Sequence, residues 1–300
     1  MALASGRAAS LLALVALVSV AGFADPATAM GKSGQVTVFW GRNKAEGTLR
    51  EACDTGRYTI VIISFLNVFG HGKYSLDLSG HPIAGVGNDI KHCQSKNILV
   101  FLSIGGFGKQ YSLPSSKSAT SFADYLWNAY FLGNATGVHR PFGDAYVDGL
   151  DFFIDQGSPD HYDDLARRLW DYNKGYRART PVQLSATPRC RYPDIHVNRL
   201  LATGHVTRIN VRFYGDWYRY CGDYWQLKWT KWTKVYPNSR IYLGLAASNQ
   251  TLGYLSPQNL YYSVLPLVQD AANYGGLMIW DRYADKRTNY SSKIIKWAAA

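Results

Sequence analysis

Cysteine is scarce in this chain, and the few cysteines present do not have the spacing of a metal site. The sequence contains four cysteines, none in a Cys-x-x-Cys pair and none beside a histidine-rich run. Zinc sites in proteins draw on ligands at such short spacings. We therefore expect no metal ion, and no motif in the sequence indicates a cofactor.

Long hydrophobic runs are also missing, apart from a short one near the start. Residues 1–29 contain one arginine, an apolar stretch from Leu11 to Val20 and the small-residue ending Ala27-Thr28-Ala29. This pattern is typical of a secretory signal peptide. A membrane span needs about 18 to 20 apolar residues, which no segment reaches. We expect cleavage before Met30, a secreted, extracellular protein and no membrane partner.

Acidic side chains are outnumbered by basic ones. Asp and Glu total 21 against 32 Lys and Arg, which gives a formal net charge of +11. A basic excess favours acidic partners or simply aids solubility. Secretion and the lack of an RNA- or DNA-binding motif argue against nucleic acid.

In an oxidising compartment the four cysteines predict two disulfides. Three connectivities are open, and sequence order favours local pairs, Cys53 with Cys93 and Cys190 with Cys221. Three short signals compatible with N-glycosylation begin at Asn134, Asn249 and Asn289.

Apolar strand-like runs alternate with amphipathic segments, and no low-complexity linker divides them. The expected strands are Gln35–Trp40, Tyr58–Phe65, Ile98–Ile104, Tyr146–Ile154, Val182–Ala186, Val206–Tyr214, Arg240–Ala246 and Gly276–Trp280. The expected helices include Ser116–Tyr130, Tyr162–Tyr172, Asp223–Tyr236 and Leu260–Asn273. This alternation predicts one α/β domain over residues 30–300, a single (β/α)8 TIM barrel, whose site lies at the carboxyl ends of the strands.

The run from Asp148 to Asp155 places several carboxylates in or beside a buried strand. Alternate side chains of a strand share a face, so Asp151, Phe153 and Asp155 are expected on one face and Asp148 on the other. Burying a carboxylate is costly unless it is hydrogen-bonded or used. The run is therefore a candidate active site.

Five segments together give the mature chain a resemblance to glycoside hydrolase family 18, of the plant class III chitinase type. They are Gln35–Gly41, Ser103–Gly106, Asp148–Asp155, Phe213-Tyr214 and Trp280–Tyr283. Within that family the chain is similar to the cereal xylanase inhibitor branch, in Phe39–Gly47, Asp89–Cys93, Asp281–Tyr283 and Thr288–Ser292. The resemblance implies a plant defence protein of the apoplast or cell wall, with monomer as the default state.

Two positions depart from the chitinase pattern. Family 18 chitinases protonate the leaving oxygen with a Glu, and an Asp two residues earlier orients the substrate's acetamide. Those positions hold Asp155 and Phe153 here. Tyr214 is kept, whereas Arg212 stands where the chitinases usually carry Gln. With Trp280 at the last strand end, these residues predict a degenerate site in which no catalytic residue is expected.

The inhibitor resemblance implies microbial endo-xylanases as partners, yet the contact residues of that branch do not carry over cleanly. Its lysine on the helix after the seventh strand falls on Gln258. Its arginine on the loop after the fourth helix falls on Gly175, beside Lys174, Arg177 and Arg179. A flexible basic loop without a partner is the favoured interpretation of Arg177 and Arg179.

Other interpretations stay open. Lys228, Lys231 and Lys234 share one helical face, for which we favour a solvated surface with Trp229 and Trp232 packed inward. A weakly active chitinase with Asp155 as its acid is one alternative function. A lectin or storage protein that binds chitin-like or other polysaccharide is another.

Overall fold

The computed structural model describes residues 34–175, 181–215 and 221–298. The predicted signal peptide lies outside the described residues. The strands are β1 Gln35–Trp40, β2 Ile60–Val68, β3 Ser75–Leu76, β4 Leu99–Gly106, β5 Gly149–Ile154, β6 Gln183–Ala186, β7 Arg208–Arg212, β8 Arg240–Ala246 and β9 Tyr274–Trp280.

All of these strands except β3 run parallel in the order β1-β9-β8-β7-β6-β5-β4-β2, and β1 also pairs with β2. That last pairing closes the sheet into a ring, because it joins the two ends of the order. The short β3 pairs antiparallel with the end of β2. The predicted (β/α)8 barrel is therefore confirmed.

Helices lie between the strands and cover the outside of the ring. They are α1 Leu49–Asp54, α2 Val86–Ser95, α3 Ser116–Tyr130, α4 Tyr162–Gly175, α5 Asn198–Leu201, α6 Trp225–Val235, α7 Pro257–Asn259, α8 Leu265–Val268, α9 Arg282–Thr288 and α10 Tyr290–Ala298. Across the described ranges, none of these helices has both the length and the apolar character needed to span a membrane.

The helix expected from Leu260 to Asn273 is wrong in its second half. The backbone forms a π-helical turn over Leu260–Val264, and α8 ends at Val268. Pro266 has no N–H and cannot continue the regular ladder of i to i−4 bonds. The Leu265 N–H instead reaches the carbonyl of Leu260, five residues back, which gives the wider turn.

Alternation along the strands divides the apolar interior into two layers. In β5, Leu150, Phe152 and Ile154 pack outward against the helices. Phe153 points into the barrel, where it meets side chains such as Phe39 and Phe65. The expected two-residue period of this strand is therefore observed, and it aims the side chains of its inner face along the barrel axis.

Both disulfides join the expected pairs. Cys53 in α1 bonds Cys93 in α2, with Cα atoms 5.5 Å apart. Cys190 bonds Cys221, with Cα atoms 6.0 Å apart. The second bond ties the loop after β6 to the segment just before α6, at the end of the barrel where the strands terminate.

Candidate functional site

Asp151 lies inside the barrel, fully buried among hydroxyl groups. One carboxylate oxygen accepts a hydrogen bond from Ser103 Oγ at 2.7 Å. The other accepts from Ser185 Oγ at 2.7 Å and Thr187 Oγ1 at 2.8 Å. Burial raises the pKa of Asp151, while these three hydroxyls act in the opposite direction. Neighbouring strands thus supply the partners that a buried carboxylate requires.

Phe153 occupies the next inward position and is enclosed by aromatic rings. Its centroid lies 5.1 Å from Phe65, 5.7 Å from Phe39, 5.7 Å from Trp280 and 5.2 Å from Phe107. The Arg212 guanidinium covers its face, 4.2 Å from the ring centroid. A hydrocarbon ring in a cation–π contact fills this position, so it offers no oxygen to a sugar amide.

Asp155 follows β5 and is 7% exposed, held between two arginines. Its Oδ1 accepts from Arg212 Nη2 at 2.6 Å and from Arg189 Nε at 3.0 Å. Arg189 Nη2 also donates to the Asp155 backbone carbonyl at 2.7 Å. The arginines come from the ends of the next two strands in the ring, because Arg212 closes β7 and Arg189 follows β6.

The charges around Asp155 decide its protonation state. Burial by itself raises the pKa of this carboxyl, but Arg212 and then Arg189 outweigh burial and hold the pKa below its ordinary value. A general acid must carry a proton at the working pH, which requires a raised pKa. Asp155 therefore sits as a carboxylate in two charge-assisted hydrogen bonds, with no proton to donate.

An aromatic rim remains at the mouth of the barrel. Tyr214 is buried, and its hydroxyl lies 3.9 Å from Met278 Sδ. Burial raises the pKa of Tyr214, so it stays a neutral phenol. Phe107, by contrast, is 54% exposed and packs edge-on against Trp280 at 5.5 Å. Exposed rings of this kind offer a flat apolar surface to a ligand.

Asp148 lies away from this cluster, just before β5. One of its oxygens, Oδ2, accepts from the Val100 backbone N–H at 2.7 Å and from Gln94 Nε2 at 3.1 Å. Burial raises the pKa of Asp148. These bonds fasten the start of β5 to β4 and α2, so the carboxylate serves the strand pairing rather than the mouth of the barrel.

Asp281, next to Trp280, caps α9 by accepting the Ala284 N–H at 2.9 Å. Burial raises the pKa of Asp281 to about 6, and the nearby Glu46 adds to the rise. A carboxyl whose pKa is higher in the folded than in the unfolded chain stabilises the fold at low pH, and this stabilisation is lost as pH rises from about 4 to about 6.

We expect Asp281→Asn, which keeps a capping oxygen, to flatten the change in unfolding free energy across that window. Urea unfolding at several pH values measures this, and an unchanged slope would contradict it.

Of the predicted inhibitory contacts, the structure describes Lys174 and Gln258, which lie on different helices. Lys174 is exposed near the end of α4 and pairs with Asp171 at 3.1 Å. Gln258 is exposed in α7, which follows β8, the seventh strand of the ring. Arg177 and Arg179 lie outside the described residues.

The three glycosylation candidates, Asn134, Asn249 and Asn289, are all exposed. Attachment of glycans to them stays a prediction.

Arg189 is the charged residue of this site that the sequence analysis missed, and Phe107, Ser185 and Thr187 were missed with it. The strand pattern gave the end of β6 at Ala186, and Arg189 stands three residues further on, in the loop. Backbone hydrogen bonds with β7 set its position, since Cys190 N–H donates to the Arg212 carbonyl at 3.1 Å. Its charge and its place after a barrel strand were the available signals.

No group of three or more His, Cys, Asp or Glu in the described ranges is arranged to hold a metal ion.

Comparison with known proteins decides the family. The model of glycosyl hydrolases family 18 matches residues 35–251. This chain belongs to glycoside hydrolase family 18. Its sequence is similar to those of individual members over nearly the whole length of the chain.

Xylanase inhibitor protein 1 of rice (Oryza sativa subsp. japonica) is 58% identical over 98% of this chain and 99% of its own. Xylanase inhibitor protein 1 of wheat (Triticum aestivum) is 54% identical over 99% of each chain. Among solved structures, the xylanase and alpha-amylase inhibitor protein XAIP-II from Scadoxus multiflorus superposes with a TM-score of 0.82 at 36% identity, covering 87% of this chain and 98% of that one. The acidic endochitinase SE2 of Beta vulgaris is 39% identical over 96% of this chain. The chain is thus similar to named inhibitors at higher identity than to this chitinase.

Proposed function

We propose that this chain is an extracellular inhibitor of microbial endo-xylanases, built on a family 18 barrel that no longer hydrolyses chitin. The loss of hydrolysis is supported by the pair of arginines that bind Asp155. Arg212 donates to its Oδ1 at 2.6 Å and Arg189 at 3.0 Å, an arrangement that we call the arginine clamp. The observation that supports inhibition is the similarity to the rice and wheat inhibitors over nearly the full chain.

The side chains needed for two steps of chitin hydrolysis are missing from this site. Protonation of the leaving oxygen needs a protonated carboxyl, whereas Asp155 is held as an anion and is one methylene shorter than Glu. A misplacement near 1 Å can cost about 100-fold in rate. Orientation of the acetamide needs an oxygen where Phe153 places a ring. Loss of one such preorganised partner costs about 2.7 to 4 kcal/mol.

Inhibition has a physical rationale in charge. Xylanases hydrolyse with a pair of carboxylates in a cleft, and this protein carries a formal net charge of +11. A basic side chain placed at such a cleft meets opposite charge in a partly desolvated setting, which favours fast association and specificity. The two disulfides and the predicted signal peptide fit an extracellular site of action, and the protein acts as a monomer in this proposal.

The test is a titration of the mature protein against xylanases of both major structural classes, with release of reducing ends from soluble xylan as the readout. We expect saturable loss of activity with at least one class at submicromolar protein. Full xylanase activity at micromolar protein with both classes would overturn the proposal. Lys174→Ala serves as a probe of the α4 end: unchanged potency would remove that residue from the mechanism.

A second candidate function, sugar binding, is favoured by one observation, the exposed ring of Phe107 beside Trp280 at the barrel mouth. Stacking of a sugar on these rings needs no catalytic group. Quenching or a shift of tryptophan fluorescence on titration with chitin oligomers, abolished by Phe107→Ala, would support a lectin. No change at millimolar oligomer would dismiss it.

A further inference from the structure

One outer surface of the barrel combines exposed apolar side chains with basic ones. Helix α6 packs Trp229 and Trp232 inward, 3% and 0% exposed. At its N-terminal end Tyr224 is 75% exposed, and Leu227 in its first turn is 67% exposed. Lys231 lies on the same side as Leu227, because residues four apart share a helical face. Lys228 is half-buried and lies beside this stripe, three residues before Lys231. Most of this stripe is thus open to solvent.

The loop after β6 extends the stripe sideways. Lys231 Nζ lies over the ring of Tyr192, 5.4 Å from its centroid. Arg191 directly precedes Tyr192, Ile195 follows it by three residues, and both line one recess. Arg191 is exposed, and Ile195 is 63% exposed. We call the combined surface the α6 face, made of Arg191, Ile195, Tyr224, Leu227, Lys228 and Lys231.

The α6 face is held rigidly from beneath. The ring of Tyr192 packs edge-on against Trp232 at 5.3 Å. Trp232 Nε1 donates to the Cys190 carbonyl at 2.9 Å, and Cys190 forms the disulfide with Cys221, four residues before α6 begins. Helix and loop are therefore fixed to each other by covalent, hydrogen-bonded and aromatic contacts. A surface ordered in advance loses little conformational entropy on binding.

The positive charges of the α6 face form no ion pair within the described part of the fold, although Lys231 contacts the ring of Tyr192. Among the described residues, no carboxylate lies within ion-pair distance of Arg191, Lys228 or Lys231. Elsewhere on the surface many basic residues are paired, as Lys91 is with Asp144 at 2.5 Å and Arg199 with Asp160 at 2.8 Å. Exposed apolar side chains rimmed by polar ones mark a protein-interaction surface.

We propose that the α6 face is the surface through which this chain docks on the acidic rim of a xylanase cleft. The inference rests on the proposed function and gives it a contact surface made of residues other than Gln258 and Lys174. Arg191, Lys228 and Lys231 meet the acidic rim, and Leu227 and Tyr224 fill the centre of the contact. The opposite charge favours a partner with acidic groups around its cleft.

The test compares two double variants that carry the same kinds of change. Leu227→Ser with Lys231→Glu alters the α6 face. Ile83→Ser with Lys293→Glu alters exposed residues elsewhere, with the same change in net charge. Each protein is measured for inhibition of a xylanase and for direct binding to it by biolayer interferometry, at low and high salt, after its thermal unfolding shows that it is folded.

We expect the α6-face variant to bind and inhibit about 30-fold more weakly or worse, the size of effect that follows truncation of a side chain at the centre of an interface. The control variant should match the parent chain, and the parent's association should slow at high salt. Equal potency of the α6-face variant would overturn the docking surface while leaving the proposed function in place. Absence of parent binding to any xylanase would overturn both. Binding of the parent to anionic vesicles, but not to xylanase, would instead make the α6 face a lipid-binding surface.

Discussion

The triple variant Phe153→Asp, Asp155→Glu, Arg212→Gln is expected to hydrolyse soluble chitin oligomers at least about 100-fold faster than the parent chain. Each change returns one group to the site. Glu at 155 reaches about one methylene further, and Gln at 212 removes the cation that holds the carboxylate at 2.6 Å. Asp at 153 supplies the oxygen that Phe153 lacks. Removal of one such group from an active site lowers the rate by about 100-fold or more, so we expect its return to raise the rate by a similar factor.

The matched control is Phe153→Asn with Asp155→Glu and Arg212→Gln, which has nearly the same shape but no acetamide-orienting carboxylate. It should remain near the parent rate. A carboxylate at 153 is placed among aromatic rings, so circular dichroism and urea unfolding must first show that both variants are folded. Parent turnover equal to that of the triple variant would contradict the loss of hydrolysis. Equal rates for the Asp and Asn variants would contradict the role given to position 153.

Arg212→Met is expected to lower the free energy of unfolding by roughly 3 kcal/mol at pH 7. Asp155 is 7% exposed, and removal of one partner leaves its charge buried without full compensation. The effect lies at the lower end of the range for breaking a buried pair because Arg189 still donates to Asp155 at 3.0 Å. Urea unfolding measures the change. The matched control Lys174→Met breaks an exposed pair with Asp171 and should change the free energy of unfolding far less.

The pH dependence of this pair follows from the direction of the pKa shift. In the parent the pKa of Asp155 is lower in the folded than in the unfolded chain. Its stabilising contribution is therefore present above the unfolded value, about pH 4, and is lost as pH falls through the folded value. In Arg212→Met the strongest opposing charge is gone, so burial raises the pKa and the carboxyl takes up a proton in mild acid. The difference in unfolding free energy between parent and variant should become smaller from pH 7 to pH 4. A difference that becomes larger would contradict the ion pair between Arg212 and Asp155.

Much of the fold was predictable because it depends on local pattern. Apolar runs and their turn-rich separators gave the barrel strands, with errors of a few residues at the ends. The two-residue period of β5 placed Phe153 on the inner face. The disulfides followed from the order of the cysteines in the chain. The helix predicted from Leu260 to Asn273 ends at Val268, because Asn273 Nδ2 donates to the carbonyls of Thr233, Tyr236 and Ser239, which are distant in the sequence.

The chemistry of the site was only partly predictable, because it depends on which strand ends lie side by side. The sequence placed Arg212 where the chitinases usually carry Gln, yet it did not predict a partner for this charge. The partner, Asp155, is known only once β5, β6 and β7 stand next to one another in the ring. Arg189 joins the clamp through a loop whose path is fixed by backbone bonds to β7. The α6 face likewise needs the loop after β6 to pack on Trp232.

The most direct test of the account is to measure xylanase inhibition and chitin hydrolysis side by side on one preparation of the mature protein. Soluble xylan with a panel of microbial xylanases reports inhibition, and chitin oligomers without added enzyme report hydrolysis. We expect dose-dependent loss of xylanase activity and turnover of the oligomers at least about 100-fold slower than by the triple variant. Turnover of the oligomers by the parent chain as fast as by the triple variant, with every xylanase left fully active, would contradict this expectation.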